Sequence, residues 1–246
     1  MPPTISRLGS RAYLRGLLLL MCAAAAPVSA APVLLGPTPY LAFDNSLPGA
    51  GTAISPFSGL AFSYFHLETF EDHLFNTPGV SASAGGVTSV VFGPSIHDSV
   101  DADDGSIDGS GLNGDDFFSG SGATGITFTF DPNVLGQLPT HVGIVWTDGA
   151  GTITFRAVGP NGVLGTLGPA SGPGFPNGSF NGETAEDRFF GAIDAGGISS
   201  IFISNSAGGI EVDHLQYGAL APVPVPAALW LFCSGLCAVA ARRRSR

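Results

Sequence analysis

The chain has 246 residues and a formal net charge of −10, and all 19 of its acidic residues lie between Asp44 and Asp213. Only Arg156 and Arg188 oppose these carboxylates within that segment, and the chain contains no lysine. Because such a surface repels a phosphate backbone, the composition excludes nucleic acid as a partner and favours cations.

The first 30 residues have the order of a secretory signal peptide. Arg7, Arg11 and Arg15 precede an apolar run at 17–21, and small residues follow up to Ala30. Because this is the order of a cleavable export signal, we expect signal peptidase to cut after Ala30. A retained membrane anchor is the alternative, but the apolar run is shorter than the roughly 20 residues that a spanning helix needs.

Residues 31–221 have the length of one domain with its own hydrophobic core. Glycine and proline recur throughout, and no stretch keeps apolar residues at helical spacing, so we predict an all-β domain. The three cysteines lie outside this segment, at positions 22, 233 and 237, so no disulfide can stabilise it. The predicted strands are Ala61–Phe70, Val87–Phe92, Gly125–Phe130, His141–Thr147, Thr152–Ala157, Arg188–Ile193, Ile198–Ser204 and Ile210–Tyr217.

Two of these strands are separated only by a turn sequence. Asp148–Gly151 predicts that His141–Thr147 and Thr152–Ala157 pair as an antiparallel hairpin. Alternation then turns Trp146 and Phe155 toward the core.

The last predicted strand has an irregular pattern. Its alternation slips at Asp213-His214, and the simplest cause is a bulge. A hairpin is also predicted around Pro160–Gly162, before a long surface loop. Eight or more short strands without an internal repeat indicate a two-sheet antiparallel sandwich of the jelly-roll type.

The segment Asp98–Asp116 concentrates seven aspartates among glycines. Carboxylate oxygens on a flexible backbone are ligands that suit Ca²⁺. With Gly109 at the sixth place of a calcium loop, Asp104, Asp108 and Asp115 occupy places one, five and twelve. No helix flanks the segment and place twelve is not glutamate, so it is not an EF-hand. A solvated acidic loop is the alternative.

A second candidate calcium site joins the two ends of the domain. Glu71 and Asp72 follow an early strand, and Asp213 lies in the last strand. By analogy with carbohydrate-binding jelly rolls, these carboxylates could hold a structural Ca²⁺ between the two strands. The alternative is that they are ordinary surface carboxylates.

The sequence contains no catalytic motif that we recognise. There is no Gly-x-Ser-x-Gly elbow or phosphate-binding loop, and paired acids such as Glu186 and Asp187 are interpreted as partners of Arg188 rather than as a glycosidase pair. The histidines are too scattered for a zinc site: His66, His73, His97, His141 and His214. We therefore expect a protein without enzymatic activity.

Residues 222–246 form a distinct tail. Alternating prolines at 222–226 fix the start of a predicted helix, because proline cannot continue one from the preceding residues. The uncharged run at 227–241 predicts a single apolar helix, which is short for a permanent span. Arg242, Arg243 and Arg244 then mark the cytoplasmic side.

This tail resembles the PEP-CTERM sorting domain. The resemblance covers about the last 25 residues and is carried by the box Val223, Pro224, Val225, Pro226 and Ala227, followed by an aromatic pair, a Ser-Gly-Leu step and the arginines. Val225 replaces the name-giving glutamate of the family. The resemblance implies recognition and cleavage by an exosortase, with transient contact with the inner membrane. A plain C-terminal anchor is the alternative.

Together these features predict an exported, noncatalytic protein of the cell envelope or extracellular matrix. Its expected partners are signal peptidase, an exosortase and extracellular polysaccharide, and Ca²⁺ is the expected cation. The alternative is a carbohydrate-binding or carbohydrate-active surface module that would stack sugars on Trp146, Tyr217 or Phe175.

Overall fold

Ten antiparallel strands supply most of the regular structure in residues 30–91, 98–171 and 181–221, the parts of the chain that this computed structural model describes. The strands are β1 Val33–Pro39, β2 Phe62–Glu68, β3 Val80–Ala82, β4 Gly86–Val87, β5 Phe117–Ser119, β6 Ile126–Phe130, β7 His141–Gly159, β8 Gly162–Ala170, β9 Arg188–Ile193 and β10 Ser200–Leu220.

Helices are short in these ranges. The α-helices are α1 Thr88–Val91 and α2 Pro132–Leu135, and 3-10 turns occur at Asp101–Asp104 and Thr184–Glu186. None of the described helices has the length and apolar character required to cross a membrane. The all-β prediction is confirmed, whereas the predicted signal segment and tail helix lie outside the described residues.

The predicted hairpin across Asp148–Gly151 is wrong, because this segment continues as part of the 19-residue strand β7. The 21-residue strand β10 runs beside β7 and supplies the partners, with Glu211 opposite Asp148 and Ile210 opposite Gly149. Gly151 has φ +87°, so the strand bends here without turning back. Tertiary pairing therefore overrides the local turn sequence.

The remaining strands attach to different lengths of this long pair. The first half of β7 pairs with β9, which pairs with β1, and the second half of β7 pairs with β8 through the predicted hairpin around Pro160–Gly162. The start of β10 pairs with β6, its middle with β5 and its end with β2. The strand predicted at Val87–Phe92 is wrong after Val87, where α1 begins.

The main core contains the side chains that the alternation of apolar and polar residues predicts for several strands. Ile126 and Phe128 of β6 are buried, and Trp146 and Phe155 from the two halves of β7 join the same core cluster. A smaller cluster covers the opposite side of β7 and β9, and it contains Tyr40, Phe57, Val100, Val145 and Phe189. The loop that begins at Asp98 is thereby held against the strand pair.

The predicted bulge in β10 is confirmed. Pairing with β7 shifts register between Asp213 and Gln216, and His214 has φ +43°. Because of this irregularity, Val212 and Leu215 lie in the same core cluster instead of on opposite faces. The irregularity also positions the acidic residues described next.

Candidate metal centre

Eleven of the 19 acidic residues are buried, although carboxylates are usually among the most exposed groups of a protein. Buried carboxylates need hydrogen bonds, a counter-charge or protonation to offset the loss of hydration. The buried acids are Glu68, Asp98, Asp101, Asp115, Asp116, Asp148, Glu186, Asp187, Asp194, Glu211 and Asp213.

Three of these residues converge into what we call the carboxylate centre: Asp98, Asp148 and Glu186. One oxygen from each lies within 4.8 Å of the others. Asp98 precedes the first 3-10 turn, Asp148 lies at the bend of β7, and Glu186 ends the second 3-10 turn. The centre therefore joins two irregular segments to a strand.

The carboxylates of Asp98, Asp116 and Asp187 are each completely enclosed. Within the described residues, neither oxygen of any of the three has a hydrogen-bond partner, and Glu211 Oε2 also lacks one. Unpaired buried polar groups are rare, and unpaired buried carboxylates are among the most costly. This part of the protein is therefore suited to receive a positively charged ligand.

The electrostatics agree with this conclusion. Burial raises the pKa of Asp98 to about 10, and the charges of Asp148 and Glu211 act in the same direction. Burial also raises the pKa of Glu211 to about 8 and that of Asp148 to about 6. A divalent cation would reverse these shifts by favouring the ionised forms.

A second group, the histidine centre, consists of Asp103, Asp213 and His214. It also offers three ligand atoms within 4.8 Å of one another. His214 Nε2 lies 2.8 Å from Asp103 Oδ1, and Asp213 Oδ2 accepts a hydrogen bond from the backbone N–H of Val100 at 3.0 Å. Burial raises the pKa of Asp103 to about 8.

Asp116 and Asp187 connect the two centres electrostatically. Burial raises the pKa of Asp187 well above its ordinary value, and Asp98 and Asp213 add to the effect. Burial acts likewise on the pKa of Asp116, followed by the charges of Glu211, Asp213 and Asp98. Charges from both centres therefore raise the pKa of these two enclosed carboxylates.

The predicted calcium loop has a different arrangement. Asp104 and Asp108 are exposed, whereas Asp115 is buried and contacts His73 and Ser89. The three carboxylates do not form one of the convergent groups among the described residues. Inside the loop, backbone N–H groups of residues 108 and 109 donate to Asp101 at 3.0 Å. These backbone N–H groups stabilise the Asp101 carboxylate, and N–H groups cannot act as ligands of a cation.

The second predicted site is brought together in part. Asp213 belongs to the histidine centre. Burial raises the pKa of Glu71 to about 6, and the opposing effect of His214 shows that Glu71 lies near this centre. Asp72 is exposed and accepts a hydrogen bond from Asn76 Nδ2 at 2.7 Å.

The sequence did not lead us to the carboxylate centre, although one signal was present. Glu211 and Asp213 alternate with Ile210 and Val212, so the two acids share the face of the strand opposite these apolar residues. Two acids on one face of an otherwise apolar strand indicate a polar site. Asp148 gave no such signal because its surroundings favour a turn.

The alternative in which Trp146 and Tyr217 would stack sugars does not fit the structure, because both side chains are completely buried. Trp146 lies in the core, and Tyr217 donates a hydrogen bond to the carbonyl of Pro78. Phe175 lies outside the described residues.

Comparison with family models, curated proteins and solved structures gives no match for this chain.

Proposed function

We propose that this chain is an exported, noncatalytic protein of the cell envelope or extracellular matrix whose β domain is stabilised by Ca²⁺ at the carboxylate centre. One observation carries the proposal: Asp98 is completely enclosed, has no hydrogen-bond partner among the described residues, and faces two other carboxylates. A bound dication removes the cost of burying these charges.

Calcium is the favoured ion because the centre is made of oxygen atoms from separate segments. Ca²⁺ accepts six to eight oxygen ligands in flexible geometry, whereas Mg²⁺ demands a near-ideal octahedron and retains several waters. Glu211 and Asp116 provide additional buried carboxylates close to Asp98. Extracellular modules commonly bind Ca²⁺ with dissociation constants of about 10⁻⁴–10⁻³ M.

The architecture proposed for this domain is a two-sheet sandwich of the jelly-roll type. Its support is that both halves of β7 contribute to one core, with Val142 and Ile144 before the bend and Ile153 and Phe155 after it. The Ca²⁺ ion would tie the irregular segments at one side to these strands. In a domain without cysteine, this tie replaces a disulfide.

The export part of the proposal depends on the two ends of the chain. Signal peptidase cuts after Ala30, and an exosortase recognises Pro224–Ala227 and releases the rest of the tail. Intact mass of the protein isolated from the surface of its host should show loss of the first 30 residues and of the apolar run at 227–241. A mature protein that keeps this run would overturn the sorting proposal.

Calcium binding is tested by calorimetric titration of the full-length chain after treatment with EDTA. We expect saturable binding of Ca²⁺, lost in the double variant Asp98→Asn, Glu186→Gln and retained in the matched double control Asp104→Asn, Asp108→Asn. Asp104 and Asp108 are exposed aspartates of the same loop, so their amide variants change the net charge by the same amount. Absence of binding at several millimolar Ca²⁺ would refute the proposal.

A further inference from the structure

We infer that the histidine centre binds a second divalent cation of another chemical class, a first-row transition ion such as Mn²⁺, Co²⁺ or Zn²⁺. This inference goes beyond the calcium proposal and does not require it, because the donor atoms differ. The carboxylate centre offers only oxygen, whereas His214 adds an imidazole nitrogen to Asp103 and Asp213. Imidazole favours transition ions, and carboxylates allow Mn²⁺ as well.

An unpartnered buried atom marks this site independently of the acidic composition. The side chain of Asp103 is 7% exposed; its Oδ1 contacts His214, its Oδ2 has no N–H or O–H donor within the described part of the chain, and its carboxyl directly faces that of Asp213, so that a proton or a cation must lie between the two. The side chain of His214 is 3% exposed. An ion at this position would satisfy the free oxygen and neutralise the adjacent carboxylates.

The backbone directs two consecutive side chains to one point. In a regular strand, Asp213 and His214 would project to opposite faces. The register shift in β10 and the φ of +43° at His214 bring both side chains into the same group. Bulges of this kind commonly re-aim side chains at functional sites.

A chain of hydrogen bonds orients the imidazole ring. Tyr40 Oη lies 2.8 Å from His214 Nδ1, Gln216 Nε2 donates to Tyr40 Oη at 2.9 Å, and Ser55 Oγ donates to Gln216 Oε1 at 2.5 Å. Outer partners of this type fix the ring of a metal-binding histidine and leave its other nitrogen for the ion.

Metal binding at Nε2 requires the ring proton to reside on Nδ1. That proton can then be donated to Tyr40 Oη, and Tyr40 can donate in turn to the amide oxygen of Gln216 if the amide is rotated. Such a rotation exchanges nearly isosteric oxygen and nitrogen atoms and needs no further space. This series of hydrogen bonds can therefore orient the imidazole ring of His214 in both the metal-free and the metal-bound protein.

The test uses the full-length chain saturated with Ca²⁺ and titrated with Co²⁺. Native mass spectrometry should show one Co²⁺ in addition to any Ca²⁺, and excess Ca²⁺ should not displace it. Pulsed electron paramagnetic resonance of the Mn²⁺-loaded wild-type chain should detect ¹⁴N coupling from an imidazole. This second measurement needs no variant, so it remains decisive if a variant fails to fold.

Variants define the ligand. His214→Gln should weaken Co²⁺ binding more than the 10- to 100-fold that follows loss of an outer partner, while Tyr40→Phe should fall within that range. His66→Gln, in half-buried strand β2, is the matched control and should bind normally. Co²⁺ that is fully displaced by Ca²⁺, or a wild-type signal without ¹⁴N coupling, would overturn the inference. Absence of Ca²⁺ binding alone would overturn only the calcium proposal.

Discussion

Replacing Asp98 by asparagine should abolish the gain in the free energy of unfolding that Ca²⁺ gives the parent protein, and should stabilise the calcium-free protein. The side chain is completely enclosed, and neither of its oxygens has a hydrogen-bond partner among the residues that the structure describes. On the calcium proposal it is a ligand of the bound ion, whereas in the calcium-free protein it is a buried acid facing Asp148 and Glu186. The substitution removes both the ligand and the charge.

The contribution of Ca²⁺ to the free energy of unfolding follows from mass action. At a Ca²⁺ concentration of 100 times the dissociation constant, binding contributes about 2.7 kcal/mol to stability. For a domain of about 190 residues, 1 kcal/mol corresponds to about 2–4 °C in Tm. Ca²⁺ should therefore raise the Tm of the parent by about 5–10 °C and leave the Tm of Asp98→Asn unchanged.

Without Ca²⁺ the variant should be the more stable of the two proteins. Burial raises the pKa of Asp98 to about 10. Keeping this carboxyl protonated at pH 8 therefore costs about 6 kcal/mol relative to the unfolded chain. A buried, unsatisfied asparagine amide costs about 1–3 kcal/mol instead. The variant should then be more stable than the parent by about 3–5 kcal/mol in EDTA.

Calorimetric melts of both proteins in Ca²⁺ and in EDTA measure the four values. Asp108→Asn is the control, because its exposed side chain should change stability by no more than about 0.5 kcal/mol in either medium. A rise in Tm with Ca²⁺ that is as large in Asp98→Asn as in the parent would refute the assignment of Asp98 as a cation ligand.

Three further outcomes are expected from urea titrations. In EDTA, stability should fall as pH rises from about 5 to 9, because the folded chain binds more protons than the unfolded one when burial raises the pKa of Glu211 and Asp103 to about 8; saturating metal should weaken this dependence, and identical profiles in both media would contradict it. Asn205→Ala should cost about 2–4 kcal/mol, because the two Nδ2 hydrogens are shared among three carbonyls beside the bend, those of Ala150, Ala207 and Gly209; a cost below about 1 kcal/mol would show that these bonds contribute little. Phe128→Ala should cost about 3–5 kcal/mol, because the side chain lies fully buried in the main core; a value like that of a surface substitution would argue against this core.

The strands that could be predicted are those in which the strand's own alternation of apolar and polar residues shows which face is buried. In β6, Ile126, Phe128 and Phe130 alternate with threonines, so burial of one face follows from the pattern alone. The strand β7 could not be read in this way, since Asp148–Gly151 favours a turn locally. Its extended course depends on β10, which lies far along the chain and provides the missing hydrogen-bond partners.

The candidate metal centres were predictable only where a single strand contains the signal. Asp213 was identified because the alternation of β10 fails beside it. Asp98, Asp148 and Glu186 come from three separate segments, and no spacing in the sequence encodes their convergence within 4.8 Å. The aspartate-rich loop instead drew attention to Asp104 and Asp108, whose exposed side chains are satisfied by neighbouring polar groups of the loop.

The irregularities of the two longest strands and the positions of the acids have one physical connection. A regular pair of strands buries its apolar face and leaves the alternate residues in contact with solvent or with a second layer. Here the bend of β7 is adjacent to Asp148, and the bulge of β10 is adjacent to Asp213. Regular strands would separate Asp213 from His214, and a straight β7 would place Asp148 differently with respect to the loop residue Asp98. If cations bind as proposed, their binding energy offsets the loss of regular backbone hydrogen bonds at the bend and the bulge. The bound ions would also cross-link loops to strands in a domain that has no cysteine to form a disulfide.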